Sequence, residues 1–208
     1  FLDGLTSGGD IAEQVVRPLA QMTDEAREEV LYTRALQGGV WCASVKEPES
    51  TQQAAELLVN GFCVILFPGS GKALGCEVKT GEKRSPSPPE TENTVKGAKD
   101  AFTETLRTNT SLVRRHLRTP SLRLEQKLLG SKSGTGMTIC YLDGVCRQEH
   151  IERMRRRLDT IRLEGVLSPA AVEETVSGSR TTAFPLLQYT ERTDKFCQGL
   201  LSGQIGLL

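Results

Sequence analysis

The chain has 208 residues, and its 26 basic side chains are balanced by 26 acidic ones. A zero formal net charge gives no reason to expect a nucleic-acid partner. No apolar run approaches membrane-spanning length, and the first residues carry no signal-peptide pattern. Length admits one or two domains. The six cysteines (Cys42, Cys63, Cys76, Cys140, Cys146 and Cys197) show no C-x-x-C spacing, so neither a zinc nor a redox motif is expected. They read as free, largely buried thiols of a reducing compartment.

The chain opens on FLDGL (1–5), and YLDGV (141–145) follows at an offset of 140. Asp10 is a plausible cap for a helix on which Ile11, Val15 and Leu19 recur. Then come TDEAREEVLYTRALQGG as helix, VWCASV as strand, and a helix capped by Ser50 that ends at Gly61. FCVILF and ALGCEVKT read as strands joined by PGSG. The stretch PGSGKALG has Ala73 where a phosphate loop needs Ser or Thr, so a hairpin turn is the expectation.

TGEKRSPSPPETENT (80–94) holds three of the nine prolines and reads as a linker or exposed loop. Beyond it Phe102, Leu106, Leu112, Val113 and Leu117 make an amphipathic linking helix that Pro120 ends. SLRLEQKLLG and GTGMTICYL form a second hairpin. A helix with Ile151, Met154, Leu158 and Ile161 follows YLDGV, then helix SPAAVEETVSG, strand TTAFPLLQY, and a helix capped by Thr193 or Asp194. LVNGFCVIL (58–66) and LLSGQIGLL (200–208) match as a second pair of landmarks, 57 and 59 residues after Gly4 and Gly144.

These patterns predict an α/β fold of two related subdomains, an internal duplication with mixed or mostly parallel sheets. The expected division is 1–83, a Pro-rich crossing and linking helix over 84–120, and 121–208. By analogy with YLDGV, the body of the strand ending in FLDGL is expected to be missing at the amino end.

Chemistry is sparse. Only His116 and His150 are available, in a polar run and at a helix start, and surface or capping roles suit them better than catalysis. No catalytic, cofactor or metal constellation is apparent. RRHLR (114–118) and ERMRRRLDTIR (152–162) read as solvated helix faces, with ion pairing or anion contact as the sharper alternative. Asp3, Glu47, Asp143 and Glu191 lie at strand ends, where α/β sheets bind ligands, although Asp-Gly after a strand is also good turn chemistry. A cleft between two such subdomains would be lined by these carboxylates.

RSPSPPETENTVKGAKDAFTETLRTNTSLVRRHLRTP (84–120) resembles the GerA family of spore germination receptor A subunits. The residues that fit are Arg84, Ser85, Pro89, Glu92, Gly97, Phe102, Thr103, Glu104, Asn109, Leu112, Arg114 and Arg115. YTERTDKFCQGLLSGQIGLL is similar to that family's T-E-R-P-D followed by L-L-x-G-x-[IV]. Pro88, Ala101, His116 and Thr193 depart from the pattern, which has Glu, Gly, a third basic residue and Pro there. Stage V sporulation protein AF, a relative within that family, shares much of it.

The resemblance implies a non-enzymatic domain on the cytoplasmic side of the spore inner membrane. It implies a membrane part outside this chain, receptor B and C subunits and other A subunits as partners, and an amino acid, sugar or nucleoside germinant. Ligand or inter-subdomain contacts are expected at Asp3, Arg84, Glu92, Glu104, Asn109, Arg114, Arg115, Asp143, Glu191 and Arg192. Glu104 with Arg114 or Arg115 is the expected ion pair. A small-molecule binding module and a purely structural contact surface are the two other readings.

Overall fold

The computed structural model describes residues 1–22, 28–78, 92, 100–161, 164–165, 169–177 and 187–208. They divide into two units, Phe1–Ser85 with Arg118–Pro120, and Pro86–Leu117 with Ser121–Leu208.

In the first unit the apolar period around Ile11 and Val15 is carried by α1 (Gly8–Ile11), a π-helical turn (Ala12–Val16) and α2 (Arg17–Met22). The helix starts before Asp10, which lies in its first turn rather than at the cap and there complements the helix dipole. α3 (Glu28–Arg34) runs into a second π-helical turn (Ala35–Gly39). The expected strand VWCASV shortens to β1 (Val45–Lys46). α4 (Thr51–Val59) starts as expected, with Ser50 Oγ accepting from the Gln53 amide at 3.2 Å.

β2 (Phe62–Phe67) and β3 (Lys72–Glu77) form a hairpin through the PGSG turn, with Cys63 opposite Cys76. The sheet order is β1-β3-β2. Leu74 and Cys76 of β3 pack with Val15, Tyr32, Ala35 and Phe67 on one face. On the other face Gly75 lies against Leu57 of α4, whose Cδ1 stands 2.6 Å from where a Gly75 β-carbon would be. Both faces of the sheet therefore carry helices.

The second unit contains α5 (Leu106–His116), β4 (Leu122–Leu129), β5 (Thr135–Leu142), α6 (Gln148–Asp159), α7 (Pro169–Ser177), α8 (Thr193–Leu201) and β6 (Gly206–Leu207). Its sheet order is β4-β5-β6. β5 shows why MTICYL is apolar on both sides apart from Thr138, since both its faces are covered. Met137, Ile139 and Tyr141 meet Ile151 and Leu158 of α6 and Val176 of α7. Cys140 and Leu142 meet Val113 of α5 and Cys197 and Leu200 of α8.

The α/β class and the two hairpins are as expected, but the pairing beyond the hairpins is not. Every named strand pair among the described residues is antiparallel, where mixed or mostly parallel sheets were predicted. β2–β3 and β4–β5 are the hairpins expected from their short turns, which only antiparallel neighbours allow, and β1 and β6 join β3 and β5 antiparallel as well. The echoed turns do share local geometry. Thr6 and Cys146 donate their amides to the Leu2 and Leu142 carbonyls at 3.3 and 2.9 Å. The sheets of the two units differ in strand order.

The linking helix is also shorter than predicted. It begins at Leu106 because Asn109 turns back on Thr103, and the Phe102 amide is already bonded to the Glu191 carbonyl at 2.8 Å. Ala101 is thereby held in a β-bridge, and Thr105 is extended at the helix start. α5 then packs against α8 and β5 within the second unit. The predicted strand TTAFPLLQY lies largely outside the described residues.

Candidate functional site

In the second unit the short segment Asp100–Thr103 lies along the entry to α8. Ala101 bridges Arg192 in antiparallel fashion, Phe102 is tied to Glu191, and the Phe102 and Phe196 rings meet edge to face at 5.2 Å. Asn109 closes the other end of the segment. Its side chain accepts from the Thr103 amide at 2.7 Å and donates to the Thr103 carbonyl at 2.6 Å, and the residue is buried.

Three elements meet at the Asp100 carboxylate. The His116 Nε2, in the last turn of α5, stands 2.6 Å from Asp100 Oδ2. The hydroxyl of Thr193, the fully buried first residue of α8, donates to the same oxygen at 2.7 Å and lies 3.1 Å from His116 Nε2. Burial pushes the Asp100 carboxyl up, but the His116 and Thr193 hydrogen bonds outweigh it and hold the group below the usual aspartate range.

This is not a nucleophilic triad. A relay needs the imidazole to use one nitrogen for the acid and the other for the hydroxyl, and here one nitrogen faces both. Thr193 also serves the carboxylate directly. The arrangement holds a chain segment in place.

A second carboxylate, Glu92, extends the network. Thr190 Oγ1 donates to it at 2.6 Å and Lys195 Nζ at 3.0 Å, and these two bonds keep it below the usual glutamate range. Arg192, at the N-cap position of α8, forms a two-pronged pair with Asp194 at 3.0 and 2.5 Å. Neither Thr193 nor Asp194 is the cap that the sequence suggested, because Asp100 and Arg192 engage their side chains.

Of the predicted contact residues, Glu92, Asn109, Glu191 and Arg192 come together here. Glu191 accepts the Phe102 amide through its carbonyl. Glu104 and Arg115 are exposed on the approach to and the last turn of α5, and half-buried Arg114 lies near enough to Cys140 for its charge to favour the thiolate. Asp143 pairs with Arg123 at 3.0 Å with both side chains about half exposed, and Asp3 occupies the exposed FLDGL turn of the first unit. Both aspartates thus sit in turns. Arg84 lies outside the described residues.

Asp100, Thr190 and Lys195 escaped the sequence reading, Thr193 was read only as a cap, and His116, exposed as expected, also turns its side chain, 27% exposed, onto Asp100. The signal that was present is that His116 and Thr193, two departures from the resembled pattern, touch each other.

A separate trio stands on the other face of the same sheet. Arg155 of α6 donates to both Glu125 carboxylate oxygens and to Tyr141 Oη, and Tyr141 donates to Glu125 at 2.6 Å. Among the described residues no group of three or more His, Cys, Asp or Glu side chains is arranged to hold a metal, and no helix is long and apolar enough to cross a membrane.

The sequence profile described as "Bacillus/Clostridium GerA spore germination protein" matches residues 1–208. The Bacillus subtilis uncharacterized membrane protein YfkQ is 32% identical over 208 residues, covering all of this chain and 40% of that protein. B. subtilis spore germination protein KA is 29% identical over 100% of this chain and 38% of its own length. B. subtilis stage V sporulation protein AF is 26% identical over 99% of this chain and 42% of its own length. The chain therefore spans about two fifths of these relatives.

The fold is that of the crystal structure of the N-terminal domain of the A subunit of the Bacillus megaterium spore germinant receptor GerK3, at a TM-score of 0.68 and 23% identity, covering 100% of this chain and 76% of that one. A match over the full 208 residues places this chain in the GerA family of spore germination proteins.

Proposed function

We propose that this chain is a non-enzymatic N-terminal portion of a spore germinant receptor A subunit, which contributes to nutrient-triggered germination through contacts with other receptor subunits. One observation carries the reading. The residues that make the GerA resemblance specific, Glu92, Phe102, Thr103 and Asn109 on one side and Thr190, Glu191, Arg192 and Asp194 on the other, converge in one hydrogen-bonded site of the second unit. A family pattern spent on holding one segment against one helix start suits a domain whose shape, rather than a reactive group, is what partners read. The full-length protein would face the cytoplasmic side of the spore inner membrane, in keeping with relatives more than twice as long, one of them named a membrane protein.

The test places the full-length protein, native or Asp100→Ala, with B- and C-type subunits in spores that lack their own receptors. Native protein is expected to restore germination on amino acids, sugars or nucleosides, and the variant to restore it poorly. Native protein that restores nothing with any nutrient, in spores where its presence is verified, overturns the reading. A thermal-shift screen of the 208-residue chain with the same compounds separates assembly from direct binding. A bound nutrient at a hundredfold excess over Kd stabilises by about 2.7 kcal/mol.

A further inference from the structure

We infer that the Asp100–His116–Thr193 contact is a pH-sensitive latch, which holds the Asp100–Thr103 segment on the start of α8 most firmly while His116 carries its proton. The inference rests on the site described above and adds a control to it.

His116 lies at the junction of three elements, the Asp100 segment, the end of α5 and the first residue of α8. When the imidazole is protonated, Asp100 faces a full positive charge at hydrogen-bond distance. When it is neutral, one hydrogen bond remains and the charge is gone, while the Asp100 side chain stays only 20% exposed. The imidazole is the side chain whose charge ordinarily changes between pH 5 and 8.

The other charged and titratable groups around the site are paired, buried or cationic. On α8, Asp194 is paired with Arg192, Lys195 with Glu92, and burial foremost pushes the Cys197 thiol up to about 12. On β5, burial pushes the Cys140 thiol higher still. On α5 itself the neighbours are Arg114 and Arg115, which stay charged. The chain's other histidine, His150, is on α6.

The two departures from the resembled pattern explain why this chain would have the switch. An arginine at 116 would give Asp100 a permanent partner, and a proline at 193 would have no hydroxyl to offer.

The test is amide hydrogen exchange by NMR on the 208-residue chain from pH 5.5 to 8.5, with each rate divided by the intrinsic rate at that pH. The reporter is the Phe102 amide, bonded to Glu191. The control for global opening is the Thr138 amide, bonded to the Leu208 carbonyl. Relative to the control, Phe102 protection is expected to fall roughly fivefold across the range, the scale of a partly exposed ion pair. His116→Arg should flatten the profile at the high end and His116→Gln at the low end.

A flat wild-type profile, which needs no variant, overturns the latch, as does an unchanged slope in His116→Arg. Either outcome leaves the germination reading standing, and failure of the spore assay leaves the latch standing.

Discussion

Gly203 sits directly under the carbonyl of Val145. A β-carbon built on Gly203 would meet that oxygen at 3.2 Å, and the backbone there has φ +83°. In the first unit Gly61 stands in the same relation to Leu5, with φ +85° and 3.5 Å to the Leu5 carbonyl. Each glycine ends a helix and passes the chain beside a Leu-Asp-Gly turn. Gly203→Ala adds left-handed strain to a tight contact with a backbone atom, and is expected to cost about 1–3 kcal/mol. Gly61→Ala meets only an ordinary contact, so about 1 kcal/mol is expected there. Urea unfolding of both variants measures the difference, and a Gly203→Ala protein as stable as the native one would mean the turn relaxes freely.

These turns were legible because their chemistry is local. A glycine after a helix, or an Asp-Gly after a strand, states its backbone requirement within a few residues. Sheet direction was legible only within the two hairpins. Alternating helices and strands look the same whether a helix crosses between parallel strands or merely flanks a hairpin, and the PGSG and GSKSG turns were the cue for hairpins. Half of the site was visible through Glu92, Asn109 and Arg192. Asp100, His116 and Thr193 were not, because residues 77 and 93 positions apart meet there and each alone looks like a surface or capping group. Phe102 kept its apolar character but not its helix, since Asn109 occupies the Thr103 backbone groups.

Asn109 is a structural brace, and that can be measured. It is buried, and its side chain satisfies both the amide and the carbonyl of Thr103. Asn109→Ala leaves two backbone groups without these partners, at a cost of about 2–3 kcal/mol. For a chain of this size, that lowers Tm by roughly 4–12 °C. Asn109→Asp keeps the acceptor, removes the donor and adds a buried charge, so it should do no better near neutral pH. Differential scanning calorimetry of the two variants checks this. If the aspartate variant melts with the native protein, the carbonyl bond contributes nothing.

Acid should weaken the second unit through four carboxylates whose pKa values are lowered in the folded chain. Glu125 is held low first by its Arg155 bond and then by Tyr141, Asp194 by Arg192, Glu92 by Thr190 and Lys195, and Asp100 by His116 and Thr193 against the opposing effect of burial. A depressed folded pKa means that the unfolded chain takes up the proton first as pH falls. The stabilisation is thus fully present above the ordinary carboxylate range of about 4, and disappears as pH drops through the lower folded values. Stability is expected to hold level from pH 6 to about 5 and then to fall steeply toward pH 2. Glu125→Gln retains an acceptor for Arg155 but cannot titrate, so its stability should fall less steeply over the acid limb while starting lower at pH 6. Urea midpoints taken every half pH unit for both proteins decide the matter. Parallel acid limbs would show that Glu125 has no share in the proton linkage, and that the Arg155 pairing on α6 persists with its carboxylate neutralised.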